Sequence, residues 1–236
     1  MNVSPDQEFE NELEIFRRET EAATQFFIAF MSIHEVAANH LPVKLFLNQT
    51  PLFSSTILGA LQTASFVALG RVFDQDSAHN IDCVLRLAQD NPEIFSKAAL
   101  GQRKIGNRAE DPDWLQASIQ DAYEPTSIDF RQIRAQVNQK RKTYEHRYRQ
   151  LRDKVFAHNA AKDRGEIDVL FANTNIAELN RMFTFFGSLY NALWELFFNG
   201  RKLLVSDSDV TLRYTVQESI GREAKQFLLA ASSGIR

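Results

Sequence analysis

Arg152, Asp153 and His158 fall within seven residues of one another, near the end of a basic run that also holds Arg147, Arg149, Lys154 and Asn159. Their side-chain types suit work on an anion. A guanidinium is planar, always charged, and can hold two anionic oxygens at once. An imidazole is the side chain whose ordinary pKa lets it take up or release a proton near neutrality. The spacing alone carries little, because a chain with 18 arginines and five histidines should show about one such pair by chance. A second pair, Arg141 with His146, is indeed present. Context separates the two: Arg141 is followed by Lys142 in mid-pattern, whereas Arg152 is followed by Asp153 where the helix should be ending.

The element that must position these groups is a long helix. Residues 128–158 contain neither proline nor glycine, and Ile133, Val137, Tyr144, Tyr148, Leu151 and Val155 recur at steps of three, four and seven. On an ideal α-helix these six occupy an arc roughly 60° wide, with Arg131, Arg134, Arg141, Arg149 and Arg152 in a second arc roughly 80° wide along one edge. His158 then lies about 120° round from Arg152 and about 9 Å further along the axis. The sequence thus predicts one helix that sets a guanidinium and an imidazole on either side of a buried seam. Tyr144 and Tyr148 read as core residues, not as platforms for bases.

The remaining elements read as scaffold. Ser4-Pro5-Asp6-Gln7 starts a helix that runs to about residue 39. Leu41-Pro42 breaks it, an irregular piece follows, and Thr50-Pro51 caps a second long helix to about residue 73, where Gly59, Ala60, Ala64, Ser65 and Ala68 allow close helix approach. Short helices are expected over 81–89, over 93–100 behind Asn91-Pro92, and over 113–122, with a polar loop over 101–110. Ser127 is expected to cap the arginine-striped helix. Residues 159–173 read as a loop with an extended piece at 167–171. A third apolar pattern (Leu179, Met182, Phe183, Phe186, Leu189, Tyr190, Leu193, Phe197) ends at Asn199-Gly200. Residues 210–216 alternate like a strand but read equally well as the start of a C-terminal helix. The expected fold is all-α: an up-and-down helical bundle with short helices inserted between the second and third long ones and a C-terminal helical extension, as a single domain over 1–236.

Composition agrees. Nine glycines and six prolines among 44% apolar residues favour long helices, and 19 phenylalanines supply large rings to fill the gaps between them. The single cysteine, Cys83, excludes a disulfide framework and suits a reducing, cytoplasmic setting. No basic-then-apolar secretory signal opens the chain. The uncharged run over 45–70 is long enough for a membrane span, but its proline and polar residues favour a central helix buried on all sides, so no membrane partner is expected. Net charge is −3, which does not itself point to nucleic acid. Its distribution does more: residues 1–35 carry eight acids and two bases, and 128–154 carry nine bases and three acids. These two segments suit each other as neighbouring helices, and the second also suits a polyanion.

Other motifs fail. His34-Glu35 has alanine where a zincin helix needs its second histidine, and Gly101 to Gly106 is followed by Asn107-Arg108, not by the Lys-Ser/Thr of a phosphate loop. Neither a metal site nor a cofactor is expected.

The string Leu151-Arg152-Asp153-Lys154-Val155-Phe156-Ala157-His158-Asn159 resembles the signature of HEPN domains, helical bundles of prokaryotic defence and toxin systems. Arg71-Val72-Phe73-Asp74 with Ser77, and Leu170-Phe171-Ala172-Asn173-Thr174, resemble its AbiU-type abortive-infection branch. The likeness is strongest over 50–200. It implies a metal-independent endoribonuclease in which two chains bring their Arg/His sets into one cleft, with RNA as substrate and an antitoxin or other defence protein as a further partner. His158 would be the general acid/base, Arg152 would stabilise the transition state, and Asp153 would orient one of them. Lys154, Arg149 and Arg147 would contact phosphates, and Asn159 would touch substrate or hold the turn. Within the same superfamily, the alternative is a non-catalytic dimerisation or nucleic-acid- and partner-binding module.

Overall fold

A computed structural model describes residues 3–106, 113–157, 174–206 and 211–234, with backbone alone at 155–157 and 211–217. Among the described residues every regular element is helical: α1 (Pro5–Asn39), α2 (Leu41–Gln49), α3 (Pro51–Phe73), α4 (Ile81–Asp90), a 3₁₀ turn (Pro92–Phe95), α5 (Lys97–Ile105), α6 (Leu115–Gln120), α7 (Ser127–Arg147), α8 (Arg149–Leu151), a π-helical turn (Arg152–Ala157), α9 (Ile176–Asn199) and α10 (Thr211–Ser232). The fold is an all-α helical bundle, as the long apolar periodicities require.

Several ends follow from local chemistry. The Ser4 hydroxyl accepts from the Gln7 amide at 3.3 Å and starts α1. Leu41-Pro42, expected to begin an irregular piece, begins α2 instead. The first N–H groups of a helix have no intrahelical acceptor, so Pro42 fits there without loss. Thr50 stands where α2 ends and α3 begins: its hydroxyl bonds back to the Phe46 carbonyl, and its own carbonyl accepts the Ser54 amide at 2.9 Å, with Pro51 as the first residue of α3. Ser96 accepts from the Ala99 amide and splits the expected 93–100 helix into a 3₁₀ turn and α5, which takes in part of the expected 101–110 loop. Thr126, one residue before the expected Ser127, supplies the cap of α7: its amide and hydroxyl both donate to Asp129 Oδ2 at 2.7 Å, and Tyr123 Oη adds a third bond at 2.8 Å. The strand-like alternation at 210–216 resolves as the start of α10 from Thr211 onward. The expected extended piece at 167–171 lies outside the described residues.

The chain forms two compact units. The first comprises Met1–Arg18, Val72–Tyr144 and Ala177–Asp209. Its core is aromatic. Phe9 packs edge-on to Phe95 at 5.2 Å and against Phe197 at 5.0 Å, while Phe73 stacks on Tyr144 at 5.1 Å and meets Phe186 at 5.1 Å. Fully burying one such ring contributes roughly 1.5–3 kcal/mol. Arg103 lies over the Phe197 ring at 3.9 Å, donates to the Phe197 carbonyl at 2.8 Å and pairs with Asp6 at 2.5 Å. A cation is favoured at that place because the last carbonyls of α9 carry the negative end of its dipole. Gly200 ends α9 with φ +62°; a Cβ there would stand 2.6 Å from Ala122 Cβ and 2.8 Å from Leu100 Cδ2.

The second unit comprises Glu19–Arg71, Glu145–Ile176 and Val210–Arg236. Ser65 donates to the Ala23 carbonyl at 3.0 Å, so α1 and α3 approach closely where α3 offers a small residue. Val36, Val43 and Leu228 join α1, α2 and α10 in a small apolar cluster. The expectation that α3 is buried on all sides fails in its first half. Leu52 and Phe53 are 84% and 66% exposed, and Gly59 and Ala60 face open space instead of a neighbouring helix. An uncharged run cannot by itself distinguish a covered helix from an apolar exposed one. By length and composition α3 could cross a bilayer. Its Ser65, Phe66, Ala68 and Leu69 are instead buried against protein.

Gly200→Ala should cost about 3 kcal/mol, because it combines a left-handed backbone with a collision against Ala122; urea denaturation measures it. Burial opposes the Asp129 charge, but the bonds from Thr126 and Tyr123 outweigh it and hold the carboxyl below its ordinary value of 3.8. A depressed carboxyl stabilises the fold above its unfolded-state pKa, and that stability is lost as pH falls through its folded value. Asp129→Asn should therefore cost about 1 kcal/mol at pH 7. The gap from wild type should close as pH falls below 3.8, which thermal melts across pH would follow.

Candidate functional site

The seam of α7 is buried as its periodicity demands: Ile133, Val137, Tyr144, Tyr148 and Leu151 are each no more than 4% exposed. Both tyrosines are core residues. The helix does not run to 158 in one α-helical register, however. It ends at Arg147, Tyr148 follows with φ −109° and ψ −27°, α8 comes next, and residues 152–157 form the π turn. A π turn closes i→i+5 bonds in place of i→i+4 and is frequent at functional sites. The angle expected between Arg152 and His158 involves a residue outside the described ones. The Val155 side chain, His158 and Asn159 lie outside the described residues.

Arg152 is held by its neighbour in sequence. Its Nε and Nη2 both donate to Asp153 Oδ1, at 2.7 and 2.5 Å, which fixes the plane of the guanidinium. Arg149 Nε lies 3.7 Å from the other carboxylate oxygen, Asp153 Oδ2. One carboxylate thus sits between two guanidiniums, with Lys154 next in sequence. The Arg152 side chain is largely buried, at 16% exposure against 49% for Arg149. Lys154 is half-buried and Arg147 exposed. The structure therefore brings Arg149, Arg152 and Asp153 together.

The basic stripe expected along 131–152 is interrupted. Arg141 turns inward and pairs with Asp82 at 2.6 Å, its side chain 8% exposed, and donates to Asn138 at 3.1 Å. The competing Arg141–His146 spacing thus begins at a buried structural cation. Arg71 Nη1 lies 3.3 Å from Glu19 Oε2. Other carboxylates of α1 are engaged elsewhere, Asp6 by Arg103 and Glu12 by His79.

One contact had no signal in the sequence. The Tyr148 hydroxyl donates to the Asn175 carbonyl at 3.2 Å and accepts from the Asn175 amide at 3.3 Å, joining α8 to the start of α9 across 27 residues. Its ring lies 6.0 Å from that of Phe66. Periodicity marks Tyr148 as core and is silent about its hydroxyl. Among the described residues no group of three or more His, Cys, Asp or Glu side chains could hold a metal ion.

The family HEPN_AbiU2 (AbiU2) matches residues 6–221, so the likeness reaches past 50–200 into α1 and well into α10. No curated protein and no solved structure matches the chain significantly. Bundle and match agree over nearly the whole length, and the chain belongs to the AbiU2 family of HEPN domains.

Proposed function

We propose that this protein is a metal-independent endoribonuclease of an abortive-infection or toxin–antitoxin type of phage defence. It would act in the cytoplasm as a homodimer through the face that bears Arg152 and His158. The observation that carries the reading is a guanidinium held side-on by its neighbouring carboxylate, six residues before a histidine, in a chain whose HEPN match spans 6–221. In this mechanism His158 takes the ribose 2′-OH proton or delivers one to the departing 5′ oxygen. Arg152 grips two oxygens of the phosphorane-like transition state, where negative charge gathers. Asp153 keeps the Arg152 plane fixed, so that little of its rotamer freedom is lost on binding RNA. Arg149, Arg147 and Lys154 hold flanking phosphates, and Asn159 touches substrate or holds the turn. An antitoxin or another defence protein would restrain the activity.

A second reading has an observation of its own. Leu52, Phe53 and Phe227 are more than 60% exposed, and an apolar groove of about 370 Å³ lies among α1, α2, α3 and α10. Apolar surface left in water marks a contact site, which suits a dimerisation or partner-binding module that cuts nothing.

End-labelled RNA incubated in EDTA separates the two. Wild type should cleave it; His158→Ala should lose about 10²–10⁴-fold in rate and Arg152→Ala about 10²–10³-fold, with circular dichroism unchanged. Arg149→Ala should weaken RNA binding and flatten its salt dependence. Equal cleavage by wild type and His158→Ala, or none by either, would remove the ribonuclease reading and leave the module.

A further inference from the structure

We infer that Tyr148 is a positioning residue for Arg152, acting through a tether between the start of α9 and the π turn; its catalytic consequence rests on the ribonuclease reading above. Tyr148 is completely buried, yet its hydroxyl is committed to a two-way exchange with the backbone of Asn175, donating to the carbonyl and accepting from the amide. Its own carbonyl accepts the Arg152 amide at 2.9 Å. One residue thus links the backbone that opens α9 to the backbone of the guanidinium carrier. A buried hydroxyl left without partners is costly, so the tether resists sliding or rotation of α8. It also sits where α7 loses its regular register, with φ −109° at Tyr148. The ring, seated near Phe66, fixes the lateral position, and the hydroxyl fixes the rotation. Asp153 sets the plane of the guanidinium; Tyr148 sets where the turn that carries it stands. A reacting group displaced by about 1 Å can lose 10²-fold in rate.

The test uses Tyr148→Phe, which keeps the ring and removes the tether, with Phe66→Leu as a control that loosens ring packing and leaves the hydroxyl. Two readouts are taken on the full chain: amide hydrogen exchange over 149–154 and steady-state RNA cleavage. Exchange in Tyr148→Phe should rise at least about tenfold, as expected for a locally released segment. Its kcat should fall about tenfold or more with KM nearly unchanged. Phe66→Leu should lower the denaturation midpoint without either effect. Unchanged exchange over 149–154 in Tyr148→Phe overturns the tether whether or not RNA is cut. Raised exchange with unchanged kcat in an active enzyme overturns the positioning role. If wild type cuts no RNA, the ribonuclease reading fails separately, and the exchange comparison alone decides whether Tyr148 holds the Arg152 turn.

Discussion

The burial of one stripe running from α7 into α8 constrains the rest. Ile133, Val137, Tyr144, Tyr148 and Leu151 must leave water together, and their spacing of three, four and seven permits that only in a helix whose opposite face stays wet. Once the stripe is fixed, the basic residues on its flank have no freedom to choose a side. Some become structural, as Arg141 does with Asp82. Others, Arg149 and Arg152, are carried to the end of the element, where the helix widens and a carboxylate holds them. Within 11 residues the chain therefore carries a core cation on α7 and a candidate working cation on the π turn that follows α8.

The two guanidiniums show how physical context overrides a motif. Each is followed by a histidine at a permitted spacing. Arg141 sits where the α-helix is regular, its side chain points into protein, and its charge is spent on a carboxylate from α4. Breaking such a pair leaves an uncompensated buried charge, so evolution of a new role there is costly. Arg152 sits where the regular helix has ended, on a turn that widens the backbone and brings its neighbour Asp153 within hydrogen-bonding reach. Its carboxylate partner is thus its own neighbour in sequence, whereas that of Arg141 comes from α4.

Long elements were legible in the sequence because periodicity is an average over many residues: α1, α3, α7 and α9 follow directly from it. What was not legible depends on single contacts. Pro42 looks like a breaker until one sees that it occupies the first turn of α2. Ser96 splits a helix with one hydroxyl. The exposure of Leu52 and Phe53 depends on which neighbours fail to cover them. At the site, sequence pointed to Arg152, Asp153 and their basic neighbours, and geometry brings Arg149, Arg152 and Asp153 together. The π turn and the Tyr148–Asn175 tie could not be read, since neither leaves a periodic trace. His158 and Asn159 fall outside the described residues, so their part in the account rests on residue chemistry and on the family.

The central claim is that Arg152 and His158 act on one phosphodiester by way of the ribose 2′-hydroxyl. The most direct measurement is the chemistry of the cut ends, read by mass spectrometry of RNA treated with the full chain in EDTA. Attack by the 2′-hydroxyl leaves a 2′,3′-cyclic phosphate on one fragment and a 5′-hydroxyl on the other, and the account predicts both. Fragments bearing 5′-phosphates, or RNA left whole, would contradict it.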